Sequence, residues 1–299
     1  MPDLITLVAG PSRLTVSPDR GGSITLWQWG DARLLRPIDD ETTASGHARQ
    51  LGCFSLLPYS NRIAEATLTF AGHVYALTPD PLGERHSIHG NAWYSPWHLL
   101  ERSDCHMVLG LDHRPVGTAA RDWPFAFDAR QTLELGADGL SITLSITNRD
   151  DRPMPAGLGL HPYFRRSAGS TLCFEAAQVW RSGLDKLPKD SIPTPPGWSF
   201  ATPRSPSAVE LDNCFSGWTG SARITWPEDQ VALTMTADPL FTHLVVFTPT
   251  GRDFFCVEPT SHANGAFHQP ERAEKLGLRV LAPGQDLTAG IRFILESLA

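Results

Sequence analysis

The sequence lacks the features that mark a membrane protein or a nucleic-acid binder. No apolar run approaches the ~20 residues that a helix needs to cross a bilayer. Asp3 stands where a signal peptide would carry positive charge, and no small-residue cleavage site follows it. Lys and Arg form no cluster, and the 25 basic residues are outnumbered by 32 acidic ones. We therefore expect neither a membrane nor a nucleic acid among its partners.

Cysteine is also scarce, and its positions predict no cross-link. The five cysteines are an odd number, lie far apart and include no C-x-x-C pair. They are Cys53, Cys105, Cys173, Cys214 and Cys256. This pattern is typical of reduced thiols and argues against both a disulfide framework and a structural zinc site. It predicts a cytoplasmic location.

Helical periodicity is nearly absent, and strand periodicity takes its place. In "LSITLSITN" (140–148), Leu and Ile alternate with Ser and Thr, as in a half-buried strand. The segment 67–77 contains two alternating runs around a Gly turn, as in a hairpin. Further strands are predicted at 231–237, 243–249, 253–259 and 290–296. These strands predict an all-β fold, a large antiparallel β-sandwich.

The size and composition favour one domain. With 299 residues, 41% of them apolar, the chain can bury a substantial core, and all-β folds of this size often form a single unit. The Pro-rich segment 187–206 is a candidate linker, but strand patterns resume on both sides without a change in composition. We therefore predict one β-sandwich domain over residues 1–299, with 187–206 as a long surface loop.

His161 lies in a run, "LGLHPYF", that otherwise has the pattern of a buried strand. Strand alternation places Leu160 and Phe164 on one face, and His161 on the other with Gly157 and Gly159. Glycine weakens a strand, so two of them indicate that something approaches closely there, either a ligand or a neighbouring backbone. The alternative for His161 is a purely structural role.

Glu258 ends the apolar run "FFCVE", where Pro259 stops the ladder. Strand alternation places it on the same face as Phe254 and Cys256. A carboxylate at the mouth of an apolar strand is partly desolvated, which favours its protonated form and makes it a stronger base. The alternative is a strand-end Glu satisfied by a nearby Arg or a backbone N–H.

Three further stretches combine polar and aromatic side chains. In the first, His89 is followed by Trp93. In the second, Asn61 and Arg62 lie beside a Pro turn. In the third, Asp212 precedes a Trp-bearing turn. A sugar requires such a set, because its ring faces stack on aromatic groups and its hydroxyls need donors and acceptors. Arg62, Asp212, Asn61 and Trp93 are therefore candidates for a sugar site. The alternative is that Asp212 and Asn213 form a common turn and that the Trp residues pack in the core.

Taken in order, these stretches resemble the aldose 1-epimerase (galactose mutarotase-like) family. The resemblance covers nearly the whole chain and includes "NRIAEATLTFAGHVYAL", "IHG", "HPYF", "LDNCF", "FFCVEP" and "LAPGQDLTAGIRFIL". It implies a supersandwich fold and the interconversion of the α and β anomers of an aldose by acid/base ring opening. It also implies that the reaction needs no cofactor and no metal. We expect a monomer or a homodimer.

The resemblance also implies roles for five side chains. Glu258 matches the family's general base, His161 its general acid and His89 its second active-site histidine. Arg62 matches the sugar-binding arginine and Asp212 the sugar-binding acid. On this interpretation the glycines before His161 leave room for the pyranose.

The sugar itself is not fixed by these motifs. "HPYF" is also similar to the hexose-6-phosphate mutarotases, which need a basic cluster for the phosphate. Arg165 and Arg166 follow directly but point in opposite directions, so at most one reaches the site, while Arg62 and Arg85 are the other candidates. We therefore favour an unphosphorylated sugar.

Two other classes of protein compete with this interpretation. One is a non-catalytic sugar-binding or sensor domain, but the presence of both Glu258 and His161 argues against lost turnover. The other is a cupin-like protein that holds a metal with His89, His161 and Glu258. The chain lacks the close His-x-His spacing that is usual in such sites.

Overall fold

Strands form most of the structure, a computed structural model that describes residues 4–298. The first eleven strands are β1 (Ile5–Ala9), β2 (Ser12–Ser17), β3 (Ser23–Trp29), β4 (Ala32–Arg33), β5 (Cys53–Leu56), β6 (Arg62–Ile63), β7 (Thr67–Phe70), β8 (His73–Ala76), β9 (Ser87–Ile88), β10 (His98–Arg102) and β11 (His106–His113). The later strands are β12 (Phe127–Gly136), β13 (Gly139–Asn148), β14 (Met154–Ala156), β15 (Gly159–Arg165), β16 (Thr171–Ser182), β17 (Pro188–Pro193), β18 (Asp212–Trp226), β19 (Val231–Ala237), β20 (His243–Phe247), β21 (Phe254–Thr260), β22 (Arg279–Leu281) and β23 (Asp286–Ser297).

Helices are short and lie between the strands. The α-helices of the described chain are α1 (Asp40–Ser45) and α2 (Ala119–Asp122). Single 3₁₀ turns occur at Ala48–Gln50, Ala64–Ala66, Pro196–Trp198, Pro227–Asp229 and Ala266–His268. None of these helices has the length and apolar content that crossing a membrane would require. All five cysteines are free.

Two runs of antiparallel strands share one long strand and face each other. One run is β10–β11–β12–β13–β23–β19–β18, and the other is β18–β20–β21–β15–β5–β3–β2–β1. The 15-residue strand β18 belongs to both runs, because its first half pairs with β20 and its second half with β19. Between the runs, the rings of Trp27 and Phe164 pack on Phe293 at 5.4 and 6.4 Å. The predicted all-β antiparallel sandwich is confirmed.

The predicted strands occur where the sequence pattern placed them. Strand β13 contains the segment 140–148 and alternates buried with half-buried residues, and the segment 67–77 contains the hairpin of β7 and β8. The Pro-rich segment 187–206 was predicted as a loop, and this is wrong in part. It contains β17, which pairs with β16, because a Pro at each end of an edge strand need not donate to the ladder.

The two faces of β15 were predicted correctly, but the reason for its glycines was not. Leu160 and Phe164 belong to the main core, and His161 points the other way. A Cβ on Gly157 would lie 2.2 Å from Cδ2 of His262, and one on Gly159 would lie 3.0 Å from a methyl group of Leu56. Packed side chains therefore occupy the space that we assigned to a sugar.

Candidate active site

A histidine and a carboxylate face each other across two neighbouring strands. The antiparallel register of β15 and β21 places Tyr163 opposite Cys256. His161, two residues before Tyr163, therefore lies opposite Glu258, two residues after Cys256. Nε2 of His161 is 3.3 Å from Oε1 of Glu258, and the two side chains are only 9% and 3% exposed. The two atoms are at the limit of hydrogen-bond distance, and burial gives solvent little access to either side chain.

A second histidine, His89, is fixed by reciprocal backbone contacts with Asn61. The backbone N–H of Asn61 donates to Nδ1 of His89 over 3.2 Å, and the backbone N–H of His89 donates to the carbonyl of Asn61 over 2.9 Å. Because Nδ1 accepts, the proton of the neutral ring lies on Nε2. The rings of His89 and His161 are 5.3 Å apart, edge to face. His89 thus offers an N–H donor next to the facing pair.

The backbone around His89 leaves little freedom to move it. His89 and Asn61 both have left-handed backbones, with φ of 64° and 59°. Gly90 follows with φ of 68°, and a Cβ there would lie 2.0 Å from the carbonyl oxygen of Leu57. Only glycine fits at that position, which explains the Gly of the "IHG" turn.

Arg62 is held by a carboxylate that the sequence did not reveal. Its Nε and one terminal N–H group donate to the two oxygens of Glu84 over 2.7 and 3.0 Å. The ammonium of Lys186 lies 3.2 Å from the same carboxylate. Hydrogen bonding by Arg62 lowers the pKa of Glu84 to about 2, so this anchor stays ionised at any working pH. The remaining N–H groups of the guanidinium are left free to contact a ligand.

These groups line one cleft with a volume of about 130 Å³. Its lining residues are Arg49, Asn61, Arg62, Glu84, Ile88, His89, His161, Tyr163, Lys186, Asp212, Val245, Phe247 and Glu258. The structure therefore brings together all of the predicted site residues except Trp93. Trp93 is 1% exposed, donates its indole N–H to the carbonyl of Ile88, and lies behind Phe54 and Arg49. It has no face left for a sugar.

Burial controls the protonation of the facing pair. Burial, and then the negative charge of Asp212, raises the pKa of Glu258 well above its ordinary range, against the opposing charge of Arg62. Burial also lowers the pKa of His161 well below its ordinary range, and Arg49 adds to this. Each shift disfavours the charged form of that group, so the pair holds one proton in total at neutral pH.

Sequence reasoning missed three of the charged residues in the cleft. Arg49 lies in a 3₁₀ turn and donates to Asp80, and Glu84 and Lys186 lie in loops. A buried arginine indicates that a carboxylate is nearby, but the sequence does not identify which Asp or Glu is the partner. Our candidate Arg85, next to Glu84, instead pairs with Glu65 on the surface.

One group in residues 4–298 has donor atoms close enough to hold a metal ion. It consists of His161, Cys256 and Glu258, all buried, with one ligand atom from each within 4.8 Å of the others. The cupin-like set that we considered from the sequence used His89, and His89 is not part of this group.

The similarity to known proteins agrees with the fold. A solved structure of a galactose mutarotase-like protein from Clostridium acetobutylicum superposes with a TM-score of 0.87 at 18% identity, covering 99% of this chain and 96% of that one. A solved structure of a candidate aldose 1-epimerase from Escherichia coli K12 superposes with a TM-score of 0.88 at 31% identity, covering 99% of both chains. The fold is therefore that of the galactose mutarotase-like proteins.

The sequence comparison is more specific than the fold. The profile of the aldose 1-epimerase family matches residues 3–293. The uncharacterized protein YphB of Escherichia coli (strain K12) is 31% identical over 301 residues, which span 98% of this chain and 99% of YphB. The chain belongs to the aldose 1-epimerase family.

Proposed function

We propose that the protein is an aldose 1-epimerase that interconverts the α and β anomers of an unphosphorylated aldose. The observation that carries this proposal is the pair of His161 and Glu258, buried, 3.3 Å apart and open to a cleft. Opening a cyclic hemiacetal requires one group to remove the proton of the C1 hydroxyl and another to protonate the ring oxygen. A base and an acid that share one proton provide both functions.

The proton balance of the reaction closes on this pair. The one proton of the pair first passes from Glu258 to His161 across the 3.3 Å contact. Glu258, now a carboxylate, then takes the C1 hydroxyl proton while the bond between C1 and the ring oxygen breaks, and the imidazolium of His161 protonates that oxygen. Rotation about C1–C2 then presents the other face of the open-chain aldehyde. The steps reverse, and the pair returns to its starting state.

The other side chains of the cleft would hold the sugar. The Nε2–H of His89 and the free N–H groups of Arg62 donate to sugar oxygens, and the carboxylate of Asp212 accepts from hydroxyls. Asn61 contributes mainly by fixing the ring of His89 through its backbone. Holding the anomeric centre between acid and base lowers the entropic part of the barrier.

The charges of the cleft favour a neutral sugar over a sugar phosphate. Its three cations are already paired, because Arg62 and Lys186 contact Glu84, and Arg49 contacts Asp80. The two arginines after "HPYF" lie elsewhere. Arg165 pairs with Asp229, and Arg166 donates to the carbonyl of Pro249.

A substrate panel tests the proposal directly. Anomer exchange of several aldoses and of their 6-phosphates would be followed by polarimetry and by NMR exchange spectroscopy, with the spontaneous rate subtracted. We expect acceleration of at least one free aldose and weaker acceleration of its 6-phosphate. Faster exchange of the phosphate would support a hexose-6-phosphate mutarotase, and sugar binding without any acceleration would support a sensor domain.

Glu84→Gln is expected to raise KM about tenfold and to change kcat little. The substitution keeps the shape but removes the charge-assisted fork that orients Arg62, a contact that is partly exposed and therefore worth about one decade. Steady-state kinetics on the best aldose of the panel separates KM from kcat. Glu65→Gln, which breaks the surface pair with Arg85, is the matched control. An equal drop in kcat would place Glu84 in the chemical step.

The pH dependence of kcat/KM is expected to be bell-shaped with a broad top. Activity needs one proton on the pair, so the acid limb reports His161 and lies below its ordinary pKa. The alkaline limb reports Glu258 and lies well above its ordinary pKa.

Asp212→Asn is expected to move the alkaline limb to lower pH. Removing this negative charge removes part of what raises the pKa of Glu258, so the pair loses its proton earlier. The position of the limb is measured from kcat/KM, whatever the loss of sugar affinity. Asp190→Asn, at an exposed carboxylate on β17, should leave the limb in place. A limb that stays fixed or moves upward in Asp212→Asn would contradict the assignment.

A further inference from the structure

Cys256 lies next to the facing pair of His161 and Glu258. On β21, Cys256 and Glu258 are two residues apart and therefore point to the same face. The thiol is fully buried in a small cluster with Phe54, Trp93 and Tyr163, away from the main core. One donor atom each from His161, Cys256 and Glu258 lies within 4.8 Å of the others. The proposed reaction gives this thiol no role.

We propose that these three side chains form a site for a thiophilic divalent cation such as Zn²⁺, and that its occupation inhibits the enzyme. Imidazole nitrogen, thiolate sulfur and carboxylate oxygen are the three donors that zinc uses in proteins. Two ligands of a tetrahedral zinc are about 3.3–3.8 Å apart, given Zn–N of ~2.0 Å and Zn–S of ~2.3 Å. The 3.3 Å between His161 and Glu258 already fits this spacing. The sulfur is at most 4.8 Å from the other two ligand atoms and has to approach them by about 1–1.5 Å at most.

The fourth coordination position faces the cleft. His161 and Glu258 both line the cleft, so an ion can enter from that side and keep a water molecule there. Binding releases two protons to solvent, one from the thiol and the one that the pair holds, and the resulting thiolate and carboxylate together neutralise the two positive charges of the ion. The negative charge of the nearby Asp212 carboxylate, which disfavours ionisation of Glu258, also favours a cation at this point.

The donor set selects among cations. Mg²⁺ and Ca²⁺ prefer cages of oxygen ligands, and this group offers oxygen from one carboxylate only. A thiolate and an imidazole favour Zn²⁺ and related ions instead. Binding would occupy the lone pair of the imidazole and the carboxylate, the same two groups that the proposed reaction uses. The inhibition therefore rests on the proposed function, whereas the binding does not.

Cobalt absorption tests the binding without any measurement of activity. The probe is Co²⁺, which takes tetrahedral sites like those of zinc and shows a charge-transfer band when a thiolate is its ligand. The protein would carry Cys105→Ser and Cys173→Ser, because these two thiols are the exposed and half-buried ones and could bind cations adventitiously. We expect the band in this double variant and its disappearance on adding Zn²⁺. We expect no band in a triple variant that also carries Cys256→Ser.

The same proteins separate inhibition from binding. Zn²⁺ should slow anomer exchange in the parent, and Cys256→Ser should raise the Zn²⁺ concentration needed by at least about 10–100-fold, since even outer-shell partners of a metal contribute that much. The band in the parent keeps the test valid if the serine variant folds poorly. A parent without the band, or equal zinc sensitivity in both proteins, would overturn the proposal. A cysteine-dependent band in a protein without epimerase activity would leave the site standing and remove the proposed function.

Discussion

Replacing Glu258 with glutamine is expected to slow anomer exchange by about 10²–10⁴-fold, the usual contribution of a positioned base. This corresponds to roughly 3–5 kcal/mol in the barrier at ~1.4 kcal/mol per decade. The amide has the same shape and can still contact His161, but it cannot take the proton of the C1 hydroxyl. Sugar affinity, measured by titration calorimetry, should change little. Exchange spectroscopy on the same sugar gives the rate.

The burial of Glu258 makes this variant informative. Glu258 is 2% exposed, and burial already favours its neutral form, so a neutral amide of the same shape should not lower the melting temperature. A rate loss in a protein that melts normally then reports chemistry and not unfolding. Glu175→Gln, at an exposed position of β16, is the control for the same chemical change. An exchange rate within about twofold of the parent would eliminate Glu258 as the base.

The fold could be predicted from the sequence because its strands carry their pattern locally. In β13, alternate residues are buried over the whole of Gly139–Asn148, so period and structure coincide. Strand β15 is different, because every residue from Gly159 to Phe164 is buried. The face of β15 that carries His161 is also buried, beside the cleft. The sequence pattern therefore predicted the direction of the His161 side chain but not the residues that surround that side chain.

The glycines before His161 show where local reasoning ends. A glycine indicates that something approaches closely, and a strand pattern does not identify the approaching group. At Gly157 it is the ring of His262, whose Nε2 also accepts the backbone N–H of Ser60. His262 is more than a hundred residues away along the chain, so this contact depends on the tertiary fold alone.

The same limit applies to the charged rim of the cleft. The sequence motifs around His161, Glu258 and His89 could be recognised, because their residue types and their order along the chain are typical of a catalytic site. Glu84 and Lys186 stand in loops without periodicity, and they reach the site only because loops from different parts of the chain meet there. Trp93 was selected for its residue type, but its indole is used internally to fix the backbone at Ile88.

Replacing His161 with glutamine is expected to slow exchange by about 10²–10⁴-fold as well, because the ring oxygen then lacks its proton donor. The stronger test is the double variant that carries both His161→Gln and Glu258→Gln. The two groups share one proton across 3.3 Å and act as a unit, so the second substitution should add little to the first.

A complete double-mutant cycle measures this coupling, with His98→Gln, at an exposed position of β10, as the control. Independent groups would multiply their losses, to about 10⁴–10⁸-fold, whereas a proton-sharing pair should stay near the larger single loss. Multiplied losses would show that the acid and the base work through separate protons. Non-additive losses, with sugar affinity retained in all variants, would tie the reaction to the contact between His161 and Glu258 itself.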